Sequence, residues 1–286
     1  IWKQMEKIME AVPEKAPLIH CITNPISIHD CANVVLAAGA RPIMAEHPEE
    51  VREITASAAA LALNLGNITD ARRASVLLSG EEAARRRIPV VLDMVGIGCS
   101  GLRRSLVRGF LEMRKTFADE NGLPPLILKG NLSEIRVLGA MEQGKTIAVS
   151  GVDARPQDVV SDETRDEIAR ELRTLAARHD AVLMATGKTD VITDESHTFF
   201  VDNGSPRLAS VTGTGCMVTA LTAAWLGEGR LLPAALLGAV MFGISGELAA
   251  EDWKGSGTYQ LRLMDQLSVC TWKTIETYRK VSVWNE

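Results

Sequence analysis

A chain of 286 residues, 46% hydrophobic and 23% charged, can bury a large core and has the balance of a globular protein, not of a disordered or fibrous one. Its net charge of −5 gives no electrostatic basis for binding nucleic acid. Five widely spaced cysteines with no Cys-x-x-Cys pair point to neither a disulfide framework nor a zinc site, and fit a reducing cytoplasm; no signal peptide is evident.

In chain order, Trp2, Met5, Ile8, Met9 and Val12 recur at helical steps and predict an opening amphipathic helix ended by Pro13. Leu18 to Ile22 reads as a buried strand, and Thr23-Asn24-Pro25 turns out of it. Asp30 is the expected N-cap of a helix through Ala38, with Gly39 at C′. Pro42 to Ala45 is a second strand, and Pro48-Glu49-Glu50 starts the next helix. The beat continues with strand Ala60 to Leu65, helix Asp70 to Arg87, strand Pro89 to Asp93, helix Leu102 to Phe117, strand Leu126 to Lys129 and helix Ser133 to Leu138. After a Gly-containing loop, helix Asp162 to His179 leads into strand Ala181 to Ala185.

Strands alternating with helices predict right-handed βαβ units and one mostly parallel sheet with helices on both faces. The low aromatic content of 4% suits that architecture. Asp190 to Val201 breaks the rhythm as a hairpin about Asp194-Glu195-Ser196, and beyond Cys216 the chain reads as nearly all helix. Leu231 to Ser245, the most apolar stretch, is interrupted by Pro233 and shorter than the ~20 residues a bilayer needs, so it is expected to be a core helix and no membrane association is expected. Without a linker or repeat, residues 1–286 read as one domain.

The chemistry gathers at Ser210-Val211-Thr212-Gly213-Thr214-Gly215-Cys216, which opens a helix over Met217 to Leu226. Two glycines at a helix start let backbone N–H groups converge on one point, and the helix dipole adds positive potential, a combination suited to phosphate. Cys216 falls in the first turn, where the positive helix end favours a thiolate. A Gly-rich turn followed by a buried cysteine is the plain alternative. In open α/β sheets ligands bind beyond the carboxyl ends of the strands, where Asn24, Met44, Asn64, Asp93, Lys129 and Thr186 are expected.

His20-Cys21-Ile22-Thr23-Asn24 and Val211-Thr212-Gly213-Thr214-Gly215-Cys216 resemble hydroxyethylthiazole kinase, the thiamine-salvage member of the ribokinase-like kinases. Pro42-Ile43-Met44-Ala45-Glu46, Asn64-Leu65-Gly66, Leu92-Asp93-Met94-Val95-Gly96, Lys129 to Glu134 and Ala185-Thr186-Gly187 match in the family's order, from about residue 18 to 227. Most ribokinase-like kinases carry Asp where this chain has Cys216.

The resemblance implies a ribokinase-like α/β fold and transfer of the ATP γ-phosphate to the alcohol of 4-methyl-5-(2-hydroxyethyl)thiazole. It implies Cys216 as the group that accepts or orients the alcohol proton, and Asn24, Met44 and Gly213 as substrate contacts. Lys129, Thr186, Thr214 and Gly215 would contact ATP, and Asp93 and Glu134 would hold Mg²⁺, largely through water. It also implies a homotrimer with the thiazole pockets between subunits.

Plainer readings stand beside these roles. Asp93 and Lys129 could simply close strand ends, Met44 could be core and Thr186 part of a turn, while Asn131-x-x-Glu134 resembles a capping box. Three departures from the family pattern stand out: Lys129 replaces an arginine, Met94 a proline and Lys188 an acidic residue, the last without a functional account. Other functions left open are a kinase for another small alcohol such as the thiamine pyrimidine precursor, a thiol enzyme attacking through Cys216, and an idle binding protein.

Overall fold

The computed structural model describes residues 1–142, 160–161, 163–228 and 230–285. The chain begins with α1 (Trp2–Lys15), β1 (Leu18–Ile22), α2 (Ile28–Ala37), β2 (Arg41–Ile43), α3 (Val51–Ser57), β3 (Ala60–Asn64), α4 (Asp70–Arg86) and β4 (Val90–Asp93). It continues with α5 (Gly101–Lys115), β5 (Leu126–Asn131), α6 (Leu132–Glu142), α7 (Arg165–His179), β6 (Val182–Thr186), β7 (Asp190–Thr193) and β8 (Thr198–Val201). The last elements are α8 (Thr214–Leu226), α9 (Leu231–Ala250), α10 (Ser256–Val269), α11 (Trp272–Tyr278) and β9 (Val281–Trp284).

Among the described residues the strands form one sheet in the order β2-β1-β3-β4-β5-β6-β7-β8-β9. It is parallel from β2 to β6 and antiparallel from there to β9. Alternation along the central strands splits them between two apolar layers. Ala60, Ala62, Val91, Ile127, Val182 and Met184 face the layer that holds α1, α8 and α9. Leu61, Leu63, Val90, Leu92, Leu126, Leu128 and Leu183 face the layer that holds α4 to α7.

The face under α8 carries small side chains where that helix crosses β3. Ala60 and Ala62 meet a helix that is itself rich in alanine (Ala220, Ala223, Ala224), so α8 packs directly on β3 and β4. Its first turn is thereby brought over the carboxyl ends of those strands. Everything at the site follows from that placement.

Several expectations are corrected by tertiary context. Pro13 lies inside α1, which ends instead at left-handed Ala16; its missing N–H leaves the helix one hydrogen bond short. Asp30 is not an N-cap: α2 starts at Ile28 after a 3₁₀ turn, Pro25–Ser27, capped by Asn24, and Asp30 accepts a hydrogen bond from Gln260 of α10. The second strand is Arg41–Ile43, and Pro48 to Glu50 form a turn ahead of α3. Gly39 does take the expected positive φ after α2, at +82°.

Pro233 does not interrupt α9, because it sits in the first turn where its missing N–H costs nothing. By length and composition that 20-residue helix could cross a bilayer, which corrects the length argument, yet most of it is buried inside the protein. The strand β9, pairing with β8, was not expected in a helical C-terminal region. The Gly-containing loop before α7 and the expected helix start at Asp162 lie outside the described residues, apart from Val160 and Ser161.

Candidate functional site

Parallel register aligns the site residues before any side chain is considered. Asn64 pairs with Asp93, Asp93 with Lys129, and Asn131 with Thr186, at the carboxyl ends of β3, β4, β5 and β6. Strand alternation places Asn64, Asp93 and Lys129 on the face that carries Ala62, Val91 and Ile127, beneath α8.

Asp93 is the hub. Its Oδ2 accepts from Asn64 Nδ2 at 2.9 Å, Lys129 Nζ at 2.9 Å and Thr219 Oγ1 at 2.8 Å, and its Oδ1 accepts from the Val95 N–H at 3.2 Å. Asp93 and Lys129 are both buried. Lys129 Nζ also donates to the Gly215 carbonyl at 2.9 Å, and Thr219 Oγ1 lies 3.1 Å from the same oxygen. Burial alone would lower the Lys129 pKa, but the charge and hydrogen bond of Asp93 outweigh it and hold the lysine above its ordinary value. Lys129 is therefore an internal counter-ion beneath the Gly-Thr-Gly turn. It does not line the adjacent cleft.

Cys216 stands in the first turn of α8 and accepts a hydrogen bond from Asn64 Nδ2 at 3.4 Å. The Asn64 amide is oriented by the Gly66 N–H, which donates to its Oδ1 at 2.8 Å. Burial and then the charge of Asp93 push the Cys216 thiol up, against the lowering effects of Ser27, Lys129 and Asn64. Gly213 is required twice over: its φ is +84°, and a Cβ there would lie 2.6 Å from Ser27 Cβ.

Glu134 makes both bonds of a capping box. Its Oε2 accepts from the Asn131 N–H at 2.7 Å, while its own N–H donates to Asn131 Oδ1 at 2.8 Å. Its Oε1 accepts from the Gly96 N–H at 2.6 Å. Burial, then the nearby charge of Asp93, raises its pKa. Among the described residues no group of three or more His, Cys, Asp or Glu side chains could hold a bare metal ion. Oδ1 of Asp93 and both oxygens of Glu134 each take a single N–H donor, which leaves acceptor capacity. That donor set fits a hydrated Mg²⁺ arriving with nucleotide phosphates and held through its waters.

Beside this cluster opens a cleft of about 810 Å³ between β5–β6, the β7–β8 hairpin, α8 and α9. Thr186, Thr214 and Gly215 line it, with Val218, Ala239 and Phe242 as an apolar wall. On the other side of Cys216 lie Asn24 and Met44, at the ends of β1 and β2; Met44 is half-buried against the α8 layer. Sequence reasoning missed Thr219 and gave Asn64 no role. Thr219 follows Gly215 by four residues on one helical face, which was its available signal; nothing local marked Asn64 beyond its strand-end position.

The Lys129→Met variant should lose about 3–5 kcal/mol of stability in urea unfolding, because it leaves a buried carboxylate without its counter-ion. Adding Asp93→Asn should restore a large part of that loss. Strictly additive effects in the double variant would show that the pair is not energetically coupled.

A family model described as the hydroxyethylthiazole kinase family matches residues 9–272. A Clostridium botulinum (strain 657) protein named hydroxyethylthiazole kinase 2 is 41% identical over 261 residues, covering 91% of this chain and 93% of its own length. A Ruminiclostridium cellulolyticum hydroxyethylthiazole kinase is 39% identical over 269 residues, with 93% and 92% covered. The structure of the hydroxyethylthiazole kinase protein from Pyrococcus horikoshii OT3 superposes with a TM-score of 0.84 at 32% identity, covering 99% of this chain and 100% of that one. A ribokinase-like superfamily protein from Enterococcus faecalis V583, only 13% identical, shares the fold with a TM-score of 0.57. The architecture is the ribokinase-like one, and with a family model and full-length relatives in agreement the chain belongs to the hydroxyethylthiazole kinase family.

Proposed function

We propose that this protein transfers the γ-phosphate of ATP to the primary alcohol of 4-methyl-5-(2-hydroxyethyl)thiazole, giving the phosphate ester and ADP for thiamine biosynthesis or salvage. The observation that carries the reading is the linear order of the strand ends. Met44, Asn24, Asn64, Asp93, Lys129 and Thr186 follow one another across β2-β1-β3-β4-β5-β6, with Cys216 above the middle. A nucleotide in the cleft and an alcohol beside Asn24, Met44 and Gly213 would approach Cys216 from opposite sides, as in-line transfer requires.

The alcohol oxygen forms its bond to the γ-phosphorus as the bridging oxygen leaves with ADP. The Thr214 and Gly215 N–H groups at the free start of α8 face the transferring phosphoryl group. Asp93 and Glu134 are the residues that would hold Mg²⁺, which supplies positive charge against the phosphate oxygens. Lys129 and Thr219 keep Asp93 and the turn in register. Cys216, a thiol at rest, orients the alcohol through a hydrogen bond to sulfur, and late in a loose transition state the alcohol proton passes to an oxygen of the transferred phosphoryl group.

A thiol enzyme is not favoured, since among the described residues no histidine is hydrogen-bonded to Cys216 and its thiol is pushed up rather than down. One kinase domain spanning residues 1–286 and a cytoplasmic site of action, where its five free cysteines would stay reduced, complete the proposal.

Purified protein with the thiazole alcohol, ATP and Mg²⁺ should release ADP in a coupled assay; faster release with a different small alcohol would replace the substrate. In the same assay Cys216→Ala should lose turnover by about 10²-fold or less, because the cradle remains. Cys216→Asp should retain activity or gain it, since a carboxylate can both orient the alcohol and take its proton; an inert but folded Asp variant would refute the role given to sulfur.

Asp93→Asn should raise the Mg²⁺ concentration for half-maximal rate. A wild-type Mg²⁺ curve at wild-type rate would remove Asp93 from the metal site.

The homotrimer with shared thiazole pockets is part of the proposal, with Met44 at the acceptor side. Light scattering that finds an active monomer of 30.9 kDa at working concentration would exclude it.

A further inference from the structure

The cleft beside α8 is lined by three charged side chains among the described residues, and two of them are already engaged. Asp190 Oδ1 accepts the Gly187 N–H at 2.8 Å. Asp202 accepts from Thr189 Oγ1 at 2.6 Å and from Arg165 at 3.1 Å. Lys188, on the turn between β6 and β7, is exposed and makes no hydrogen bond or ion pair with any described residue. Its charge is the unspent one in the cleft.

Lys129 cannot fill that place from where it stands. Its ammonium is buried and committed to Asp93 and to the Gly215 carbonyl, on the sheet side of the turn. A di- or triphosphate lying in the cleft would run between two walls. One is the first turn of α8, with Thr214 and Gly215; the other is the β6–β7 turn that carries Lys188 beside Thr186. The first offers backbone N–H groups and the helix dipole, the second a mobile ammonium on a flexible stem. Neither carboxylate at the rim is paired with that ammonium. Burial also pushes the Asp190 carboxyl up to about 7, which weakens its competition for the cation near neutral pH.

We propose that Lys188 is the side chain that meets the polyphosphate of the donor nucleotide, in place of the buried Lys129. This rests on the kinase reading above and assigns the nucleotide's phosphate contact within it. Because Lys188 is exposed, the contact is partly screened and its contribution modest.

The test is ADP titration by calorimetry with wild type, Lys188→Gln, Lys188→Glu and Lys188→Arg, at low and high salt, together with steady-state kinetics in ATP. Lys188→Gln should weaken ADP binding roughly three- to tenfold, with the loss falling on KM for ATP rather than on kcat. Lys188→Glu should weaken it further, Lys188→Arg should restore it, and the gap between wild type and Lys188→Gln should narrow at high salt. Unchanged ADP affinity in the Gln and Glu variants, or a loss that neither Arg restores nor salt narrows, would overturn the assignment while leaving the kinase reading intact. Wild-type protein that binds no ADP and releases none from ATP would overturn both.

Discussion

The buried ion pair between Asp93 and Lys129 is the interaction on which the rest of the site depends. Each charge alone would carry a desolvation cost of several kcal/mol, and the pair is tolerable because further hydrogen bonds support both partners. Asn64 and Thr219 donate to the same carboxylate oxygen, and the Gly215 carbonyl takes a second lysine proton. Four elements (β3, β4, β5 and α8) are tied at one point. The acid, the cysteine and the Gly-Thr-Gly turn therefore keep one geometry as a unit, which is what electrostatic catalysis of phosphoryl transfer requires.

That point is reached through packing. Alanines on the sheet face and on α8 permit a close approach, and Gly213 lets the turn pass against Ser27 without a Cβ in the way. A larger residue at Ala62 or Gly213 would lift or tilt the helix and separate Cys216 from Asn64. The parallel strands supply the second dimension, because their carboxyl ends lie in one row and the donor and acceptor sides are set by strand order.

Electrostatics then separates the roles. Asp93, Glu134 and the sulfur of Cys216 crowd negative or potentially negative groups into a small volume. Glu134 and Cys216 both respond with raised pKa values, burial being the larger cause in each. Asn64 is a neutral group that donates one N–H to Asp93 and the other to sulfur, so it relieves the contact between them without adding charge. A cation brought in with the nucleotide would find two carboxylates, one of them already paired with Lys129.

The alternation of strands and helices, the buried apolar α9 and the Gly-Thr-Gly start of α8 were legible in the chain itself, because periodicity and turn chemistry are local properties. So was the Asn131–Glu134 capping box, whose spacing alone brings its groups together. The family resemblance supplied candidate roles at the strand ends, but local pattern could not say which partner each side chain would choose. Nothing near Lys129 in the chain marks Asp93, one strand away, as the carboxylate it pairs with. Asn64 meets Cys216 across 152 positions of sequence and Thr219 meets Asp93 across 126, separations at which no local spacing carries information. The state of the Cys216 thiol was open in the sequence for the same reason: a helix start favours a thiolate, whereas burial and a neighbouring carboxylate, both products of tertiary packing, push the other way. Strand β9 forms on the open edge of β8; Val281, Val283 and Trp284 are strand formers, but a four-residue run after two helices does not name its partner.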